Sequence, residues 1–324
     1  MLKAGLVGAG HLGKIHLKLL QQSDRYDLVG FYDADPDNGR KLEADFGYLY
    51  FDDFEELLSQ VDMIDIVTPT LYHYDYALKA IEHRKHFFIE KPVTQTLQQA
   101  EEILIKCREF GIKAQVGHVE RYNPAYIATK DFINNPMFIE IHRLAEFNPR
   151  GTDVSVVLDL MIHDLDILLN IVKSKVSRIH ASGVCVVSKT PDIANARLEF
   201  ENGCVANLTT SRISMKAMRK SRFFQQDAYI SVDFLEKKAE VIRMKEAPEH
   251  PTAFDMIIEN ADGEKNQILF EYPNIQPNNA ILDELNSFAD AIIKNKNVEV
   301  SLEDGTEALK VALEIMKLIG KKLN

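Results

Sequence analysis

Through its first third the chain alternates short, nearly continuous apolar runs with segments whose apolar residues recur at helical spacing. The runs are "KAGLVG" (3–8), "DLVGFYD" (27–33), "MIDIVTP" (63–69), "HFFIEKP" (86–92) and "IKAQVGH" (112–118), with patterns such as "YDYALKAIEHR" and "LQQAEEILIKCREFG" between them. Short apolar strands alternating with amphipathic helices predict a parallel sheet covered by helices, in the doubly wound arrangement. From about 176 to 271 the pattern changes. "RIHASGVCVVS", "IANARLEFE", "CVANLTTSR" and "AYISVDFLE" follow one another without intervening helices, which predicts antiparallel pairing. Two helical patterns, "AILDELNSFADAIIKN" and "SLEDGTEALKVALEIM", come last. The fold class expected is α/β, with a doubly wound domain over 1–120 and a second α/β domain, built on a large mostly antiparallel sheet, over 121–324.

The first run leads into Gly8, Gly10 and Gly13, which fit G-x-G-x-x-G, and a helix follows through Ile15, Leu19 and Leu20. Gly8 permits a tight turn, Gly10 lets the backbone approach a pyrophosphate, and Gly13 allows close helix packing. The helix N-terminus, at His11 and Leu12, supplies amide donors and partial positive charge. Asp33 ends the next run about 20 residues later, where a carboxylate accepts hydrogen bonds from an adenosine ribose. It also repels a 2′-phosphate, and "ADPDNG" after it offers no arginine before Arg40, so NAD is expected over NADP. A glycine-rich turn without function, or a nucleotide that is bound but never reacts, remains open on these residues alone.

Composition narrows the partners. At 324 residues the chain can hold two ordinary domains, and 46% hydrophobic with 27% charged residues is the balance of a soluble globular protein. Asp and Glu outnumber Lys and Arg by 49 to 38, a formal charge of −11. That charge repels phosphate backbones and argues against nucleic-acid or anionic-membrane partners. No apolar run approaches the ~20 residues of a spanning helix, and "MLKAGLVGAG" lacks the features of a signal peptide; a cytoplasmic protein is expected. Cys107, Cys185 and Cys204 have no metal-ligand spacing, so neither a disulfide framework nor a metal site is indicated.

"FFIEKP" (87–92) places Glu90 and Lys91 at the end of an apolar run, with Pro92 after them. They are either a solvated exit from the sheet or groups facing a ligand at the carboxyl ends of its strands. Farther on, Asp159 and His163 stand at i, i+4 in a helical pattern whose Leu158, Ile162, Leu165 and Leu169 form a packing stripe. That spacing puts carboxylate and imidazole on one face. The pair suits proton exchange with a hydroxyl, or is a structural pair on a helix surface.

The stretch 68–92 resembles the TP-x-x-x-H and EKP motifs of the Gfo/Idh/MocA oxidoreductases. "GHVERYNPAY" (117–126), "DLMIHDLDILL" (159–169) and "SLEDGTEALKVALEIM" (301–316) extend the likeness along nearly the whole chain. The resemblance implies a Rossmann domain followed by an α/β domain commonly used for oligomerisation, hence a homo-oligomer, dimer or tetramer. It implies catalytic roles for Lys91, Asp159 and His163, and cofactor contacts at Thr68, Pro69, His73, Glu90 and Lys91. The D-x-G-x-H-x-x-D pattern falls on Asp159, Met161, His163 and Asp166. Met161 stands where the family usually has glycine, and "GTDVSVV" (151–157) lacks the glycine-rich lead, departures that bear on pocket shape more than on proton chemistry.

The same resemblance makes His118, Arg121 and Tyr122 a cofactor and substrate edge, the alternative being linker capping. "SRISMKAMRKSR" crowds Arg212, Lys216, Arg219, Lys220 and Arg222 into an acidic protein. With Arg219 and Arg222 foremost, it is either a phosphate site or a charged edge strand. The activity implied is NAD(P)-dependent oxidation of a ring secondary hydroxyl of a sugar. Resemblance to bacterial enzymes acting on the 3-hydroxyl of a UDP-N-acetylhexosamine narrows it to a nucleotide sugar. A free polyol or inositol dehydrogenase, and a catalytically silent nucleotide-binding regulator, are the alternatives.

Overall fold

The computed structural model describes residues 1–149, 154–250, 252 and 255–323. They form two compact units, Met1–Tyr122 with Asn279–Lys310, and Asn123–Asn278 with Val311–Asn324. This division differs from the contiguous one at 120/121, because the segment from Asn279 returns to the first unit.

The first unit holds six parallel strands in the order β3-β2-β1-β4-β5-β6. They are β1 (Leu2–Val7), β2 (Tyr26–Tyr32), β3 (Tyr50–Phe51), β4 (Met63–Ile66), β5 (His86–Glu90) and β6 (Ala114–Gly117). Five match the apolar runs; β3, at two residues, is too short to leave a pattern. The polar ends of the runs, "TP" and "KP" among them, leave the sheet as loops. Helices α1 (His11–Gln22), α2 (Pro36–Phe46), α3 (Phe54–Gln60), α4 (His73–Glu82) and α5 (Leu97–Phe110) connect the strands. Local chemistry sets their ends. Asp35 caps α2 through the amides of Asp37 and Asn38, with Pro36 in the first turn. Thr96 and Gln99 form a capping box on α5, which stops at the left-handed Gly111.

The core of this unit explains the returning segment. Leu285, Phe288 and Ala289 of α8 (Ala280–Ile293) are buried with Leu2, Leu6, Tyr26, Phe31 and Phe88. Removing that much apolar surface from water outweighs proximity in sequence. Because β1 lies between β2 and β4, the strand order reverses there. The loops after β1 and β4 therefore flank the switch point where open α/β sheets bind ligands.

The second unit is built on nine strands ordered β14-β15-β13-β12-β11-β7-β10-β9-β8. In chain order they are β7 (Phe138–Leu144), β8 (Val176–Val184), β9 (Ile193–Phe200), β10 (Val205–Ser211), β11 (Met218–Phe224), β12 (Ala228–Asp233), β13 (Lys238–Glu246), β14 (Met256–Glu259) and β15 (Lys265–Glu271). All pairings are antiparallel except β7 with β10. The helices α6 (Pro124–Thr129) and α7 (Ile162–Val172) lie in this unit, and α9 (Leu302–Leu323) closes the described chain. Among the described residues no helix is long and apolar enough to cross a membrane.

Candidate active site

In the first unit the glycine loop is built as its spacing requires. Gly8 has φ +95°, and a side chain there would meet the Thr68 backbone at 2.8 Å. A Cβ on Gly13 would lie 2.0 Å from the Gly8 carbonyl oxygen, so helix α1 packs directly on the turn. Gly10, by contrast, faces open space. It precedes α1, whose N-terminus carries no side-chain cap and no acidic residue, with His11 and Leu12 exposed in its first turn. Unspent amide donors beside an open glycine fit a pyrophosphate. Asp33 lends its carboxylate to this loop, accepting from the Ala9 amide at 2.7 Å and the Asp35 amide at 2.9 Å. Its remaining lone pairs suit a ribose diol. Across the switch point Thr68 keeps a buried hydroxyl with no hydrogen-bond partner among the described residues. These features together fit a dinucleotide.

His73 departs from its expected role. The ring is buried, with Nδ1 3.0 Å from the Pro92 carbonyl and 3.3 Å from that of Val93, and Nε2 2.8 Å from the Thr68 carbonyl. Both nitrogens thus lie against backbone carbonyls; burial lowers the pKa, and the neutral ring donates from one of them. His73 ties the Thr68–Pro69 loop to the segment after Lys91 and does not present a polar atom to a ligand. Replacing it by alanine is expected to cost about 1–3 kcal/mol of stability by leaving buried carbonyls unpaired, and to weaken NADH binding through the loosened loop. Chemical denaturation and NADH fluorescence titration read the two effects.

Glu90 ends β5, and its Oε2 accepts the Lys91 amide at 3.2 Å. Its Oε1 lies 3.5 Å from Nε2 of His16, whose Nδ1 is 2.9 Å from Asp65 Oδ2. His16 and Asp65 carry no motif signal; only the fold, which sets α1 against β4 and β5, reveals them.

His118, Arg121 and Tyr122 are all buried. Arg121 reaches Asp304 at 3.9 Å. The Tyr122 hydroxyl accepts from Gln115 Nε2 at 3.4 Å, and burial raises its pKa well above the ordinary phenol value. Tyr122 is therefore packed in the first unit.

In the second unit a π-helical turn, Val157–Met161, leads into α7. Such turns are often found at functional sites. The Asp159–His163 spacing crosses this junction, and both side chains are half-buried. Met161 is fully buried, so the bulk that replaces the family glycine lies inside the unit. The expected stripe is broader than read: Ile162, Leu165, Leu168 and Val172 are buried, while Leu158 and Leu169 are only partly so. Residues 151–153 of "GTDVSVV" lie outside the described residues.

Next to His163, Asp164 makes a buried, forked ion pair with Arg143 of β7. Arg143 Nε lies 3.0 and 2.9 Å from its two oxygens, and Nη2 donates to Oδ1 at 2.9 Å. Sequence inspection missed this pair because its members are on separate elements. The register also revises the basic cluster. Arg219 pairs with Arg143 across β11 and β7, whereas Arg222 pairs with Glu140. Because side chains alternate along a strand, Arg219 shares the face of Arg143 and Arg222 projects from the opposite one. There Arg222 lies 3.8 Å from Glu140 and Lys220 3.2 Å from Asp233. Arg212 is buried and donates to the Val154 carbonyl. A single phosphate cannot be gripped by both Arg219 and Arg222.

A parallel sheet with a glycine-rich first turn and an acid after its second strand, in one chain with a large mixed sheet, fits a dinucleotide-binding protein with a second α/β domain. Residues 2–118 match the model of an oxidoreductase family with an NAD-binding Rossmann fold, and residues 138–228 that of the GFO/IDH/MocA C-terminal domain. The chain is 36% identical over 236 residues to a UDP-N-acetylglucosamine 3-dehydrogenase of Acidithiobacillus ferrooxidans, covering 72% of this chain and 74% of that one. A scyllo-inositol 2-dehydrogenase (NAD(+)) of Bacillus subtilis is 28% identical over 235 residues, 65% of this chain and 68% of its own. Among solved structures, the Acidithiobacillus ferrooxidans enzyme superposes with a TM-score of 0.89 at 29% identity, covering 100% of this chain and 99% of that one. The chain belongs to the Gfo/Idh/MocA oxidoreductase family and is a dehydrogenase acting on CH–OH groups, of the sugar and polyol type.

Proposed function

We propose that this protein is an NAD-dependent dehydrogenase that oxidises a ring hydroxyl of a UDP-N-acetylhexosamine, working as a homo-oligomer. The observation that carries the substrate class is the full-length likeness, at a TM-score of 0.89, to a UDP-N-acetylglucosamine 3-dehydrogenase. Asp33 beside the glycine loop favours NAD over NADP, since a 2′-phosphate would face its carboxylate.

In this reading Lys91, Asp159 and His163 are the catalytic set. Bound NAD would supply the acceptor for the hydride of the carbinol carbon. As it leaves, the carbinol oxygen must lose its proton, and the His163 imidazole accepts it, oriented by Asp159. The Lys91 ammonium stabilises negative charge developing on that oxygen. Arg219, on the face of Arg143, binds a phosphate of the nucleotide.

The test is NADH absorbance at alkaline pH on mixing protein and NAD with UDP-N-acetylhexosamines, free inositols and free sugars. Reduction with the UDP-sugars alone supports the reading. Reduction with inositols alone replaces it by the polyol one, and no reduction with any sugar favours a silent nucleotide-binding protein. For the phosphate contact, Arg219→Ala is expected to weaken UDP-sugar binding about tenfold or more, the worth of a charge-assisted hydrogen bond. Arg222→Ala is expected to change it by less than about twofold, as for an exposed ion pair. Isothermal titration against both UDP-sugar and NAD distinguishes the variants, NAD affinity being the internal control.

A further inference from the structure

Four aromatic side chains come together next to Asp33, and no motif accounts for them. Tyr32 ends β2 one residue before that carboxylate, Phe54 opens α3, Tyr72 ends the 3-10 turn Thr70–Tyr72, and Tyr76 lies in the first turn of α4. The Phe54 ring is buried and meets the Tyr76 ring edge-on, with centroids 4.8 Å apart. Tyr32 closes the group at 5.7 Å from Phe54 and 6.4 Å from Tyr76. These are the separations of favourable aromatic pairs, so the rings hold one another in place. Burial, with Tyr32, Asp33 and Tyr72 around its hydroxyl, pushes the Tyr76 pKa up to about 12, which makes it a neutral phenol at physiological pH. Asp33 is fixed in turn. The Tyr50 hydroxyl donates to its carbonyl at 3.3 Å, and its carboxylate takes the Ala9 and Asp35 amides.

The cluster has little charge to offer. Lys79, whose ammonium is 5.7 Å from the centre of the Phe54 ring, pairs with Glu55 at 2.9 Å, and Arg40 pairs with Asp52 at 3.4 Å. Neither cation is spare for a phosphate. What the cluster does offer is ring surface. Tyr72 is 49% exposed and Leu71 before it 55%, directly after the Thr68–Pro69 loop that flanks the switch point. Tyr72 caps α4 in helical conformation, so Tyr72 and Tyr76, four residues apart, stand on one face of that helix. A neutral aromatic surface beside a carboxylate that suits a ribose diol fits the base carried by that ribose, because every nucleobase has a π-face that stacks on such rings.

We propose that Tyr72 and Tyr76 form the platform that takes the adenine of the dinucleotide, the exposed Tyr72 ring stacking on the base and the half-buried Tyr76 ring bounding its edge. This assignment rests on reading the glycine loop and Asp33 as a dinucleotide site. Tyr32 and Phe54 act through Tyr76, as positioning residues that set the plane of its ring. Stacking needs the ring and not the hydroxyl, which gives Tyr72 a conservative variant that keeps its role.

The probe is ADP-ribose, which has the adenosine and pyrophosphate of the cofactor without its nicotinamide. In isothermal titration Tyr72→Ala is expected to weaken ADP-ribose about tenfold, the worth of one stacked base, and Tyr72→Phe to stay within about twofold of the unsubstituted protein. Carbon-13 NMR of ring-labelled tyrosine reads the contact directly, with the signals assigned by Tyr72→Phe and Tyr76→Phe; the 11 tyrosines of the chain keep the spectrum sparse. Both ring signals are expected to shift with ADP-ribose and to stay in place with ribose 5-phosphate, which has no base. A purely structural Tyr72 would lower the melting temperature in Tyr72→Ala and leave ADP-ribose affinity unchanged. That result, a Tyr72 signal unmoved at saturating ADP-ribose, or a Tyr72→Phe variant as weak as Tyr72→Ala would overturn the platform and leave the dinucleotide site standing. Absence of ADP-ribose binding to the unsubstituted protein would overturn both.

Discussion

Lys91→Ala is expected to lower kcat by roughly 10²–10³-fold while NAD affinity changes little. The magnitude is that of removing one donor aimed at a developing oxyanion. The physical reason lies at the end of β5, where the chain leaves the sheet beside the switch point and Glu90 accepts the Lys91 amide at 3.2 Å. That amide contact is made by the backbone, so truncation of the side chain removes the ammonium and keeps the contact. Pyrophosphate binding by the glycine loop, with α1 uncapped and Gly10 open, does not involve Lys91. NADH fluorescence titration and initial-rate kinetics separate the two quantities. Turnover within a few-fold of the unsubstituted protein would remove Lys91 from the mechanism.

The second large effect is on stability. Asp164→Ala leaves the Arg143 guanidinium buried without its forked partner, and breaking a buried ion pair from one side costs about 3–5 kcal/mol. For a unit of this size that corresponds to a melting temperature lower by roughly 10 °C. The paired replacement Arg143→Met with Asp164→Leu removes both charges and is expected to recover most of the loss, since apolar groups of similar volume satisfy the same space. Because Asp164 directly precedes the buried Leu165 and follows His163, the pair also fixes the turn of α7 that carries His163. The single variant should therefore lose turnover beyond its loss of stability, measured well below its melting temperature. A drop under about 1 kcal/mol in urea unfolding would show that the interaction is not worth its geometry.

Much of the first unit was legible because its signals are local. Each buried parallel strand reads as an apolar run whatever its neighbours are, and the glycines are required by contacts within the β1–α1 turn and with the β4 loop. The same locality exposed Lys91 at the end of "FFIEKP". The second unit was harder. β7, β13, β14 and β15 were not picked out, although β7 alternates buried and half-buried residues cleanly. In β11, "MRKSRFF", only Ser221 and Phe223 are buried, so the cations suggested a charged edge strand, whereas β11 lies inside the sheet between β12 and β7. The odd spacing of Arg219 and Arg222 along it places them on opposite faces. Likewise, His73 looks like a ligand contact by motif, and only the structure shows its ring set against the backbone carbonyls of Thr68, Pro92 and Val93.

By itself the sequence determined the class of the protein: the doubly wound half, the glycine turn, the acid after the second strand, and the Lys91, Asp159 and His163 positions of the Gfo/Idh/MocA family. These are properties of spacing, backbone conformation and short-range apolar pattern. Tertiary structure alone decided that Asn279–Lys310 completes the first unit, that Asp164 meets Arg143, and that His16 stands between Asp65 and Glu90. Those partners are separated by tens of residues, and what joins them is desolvation. Once a core closes, each buried charge must find its counterpart there, wherever in the chain that counterpart arises.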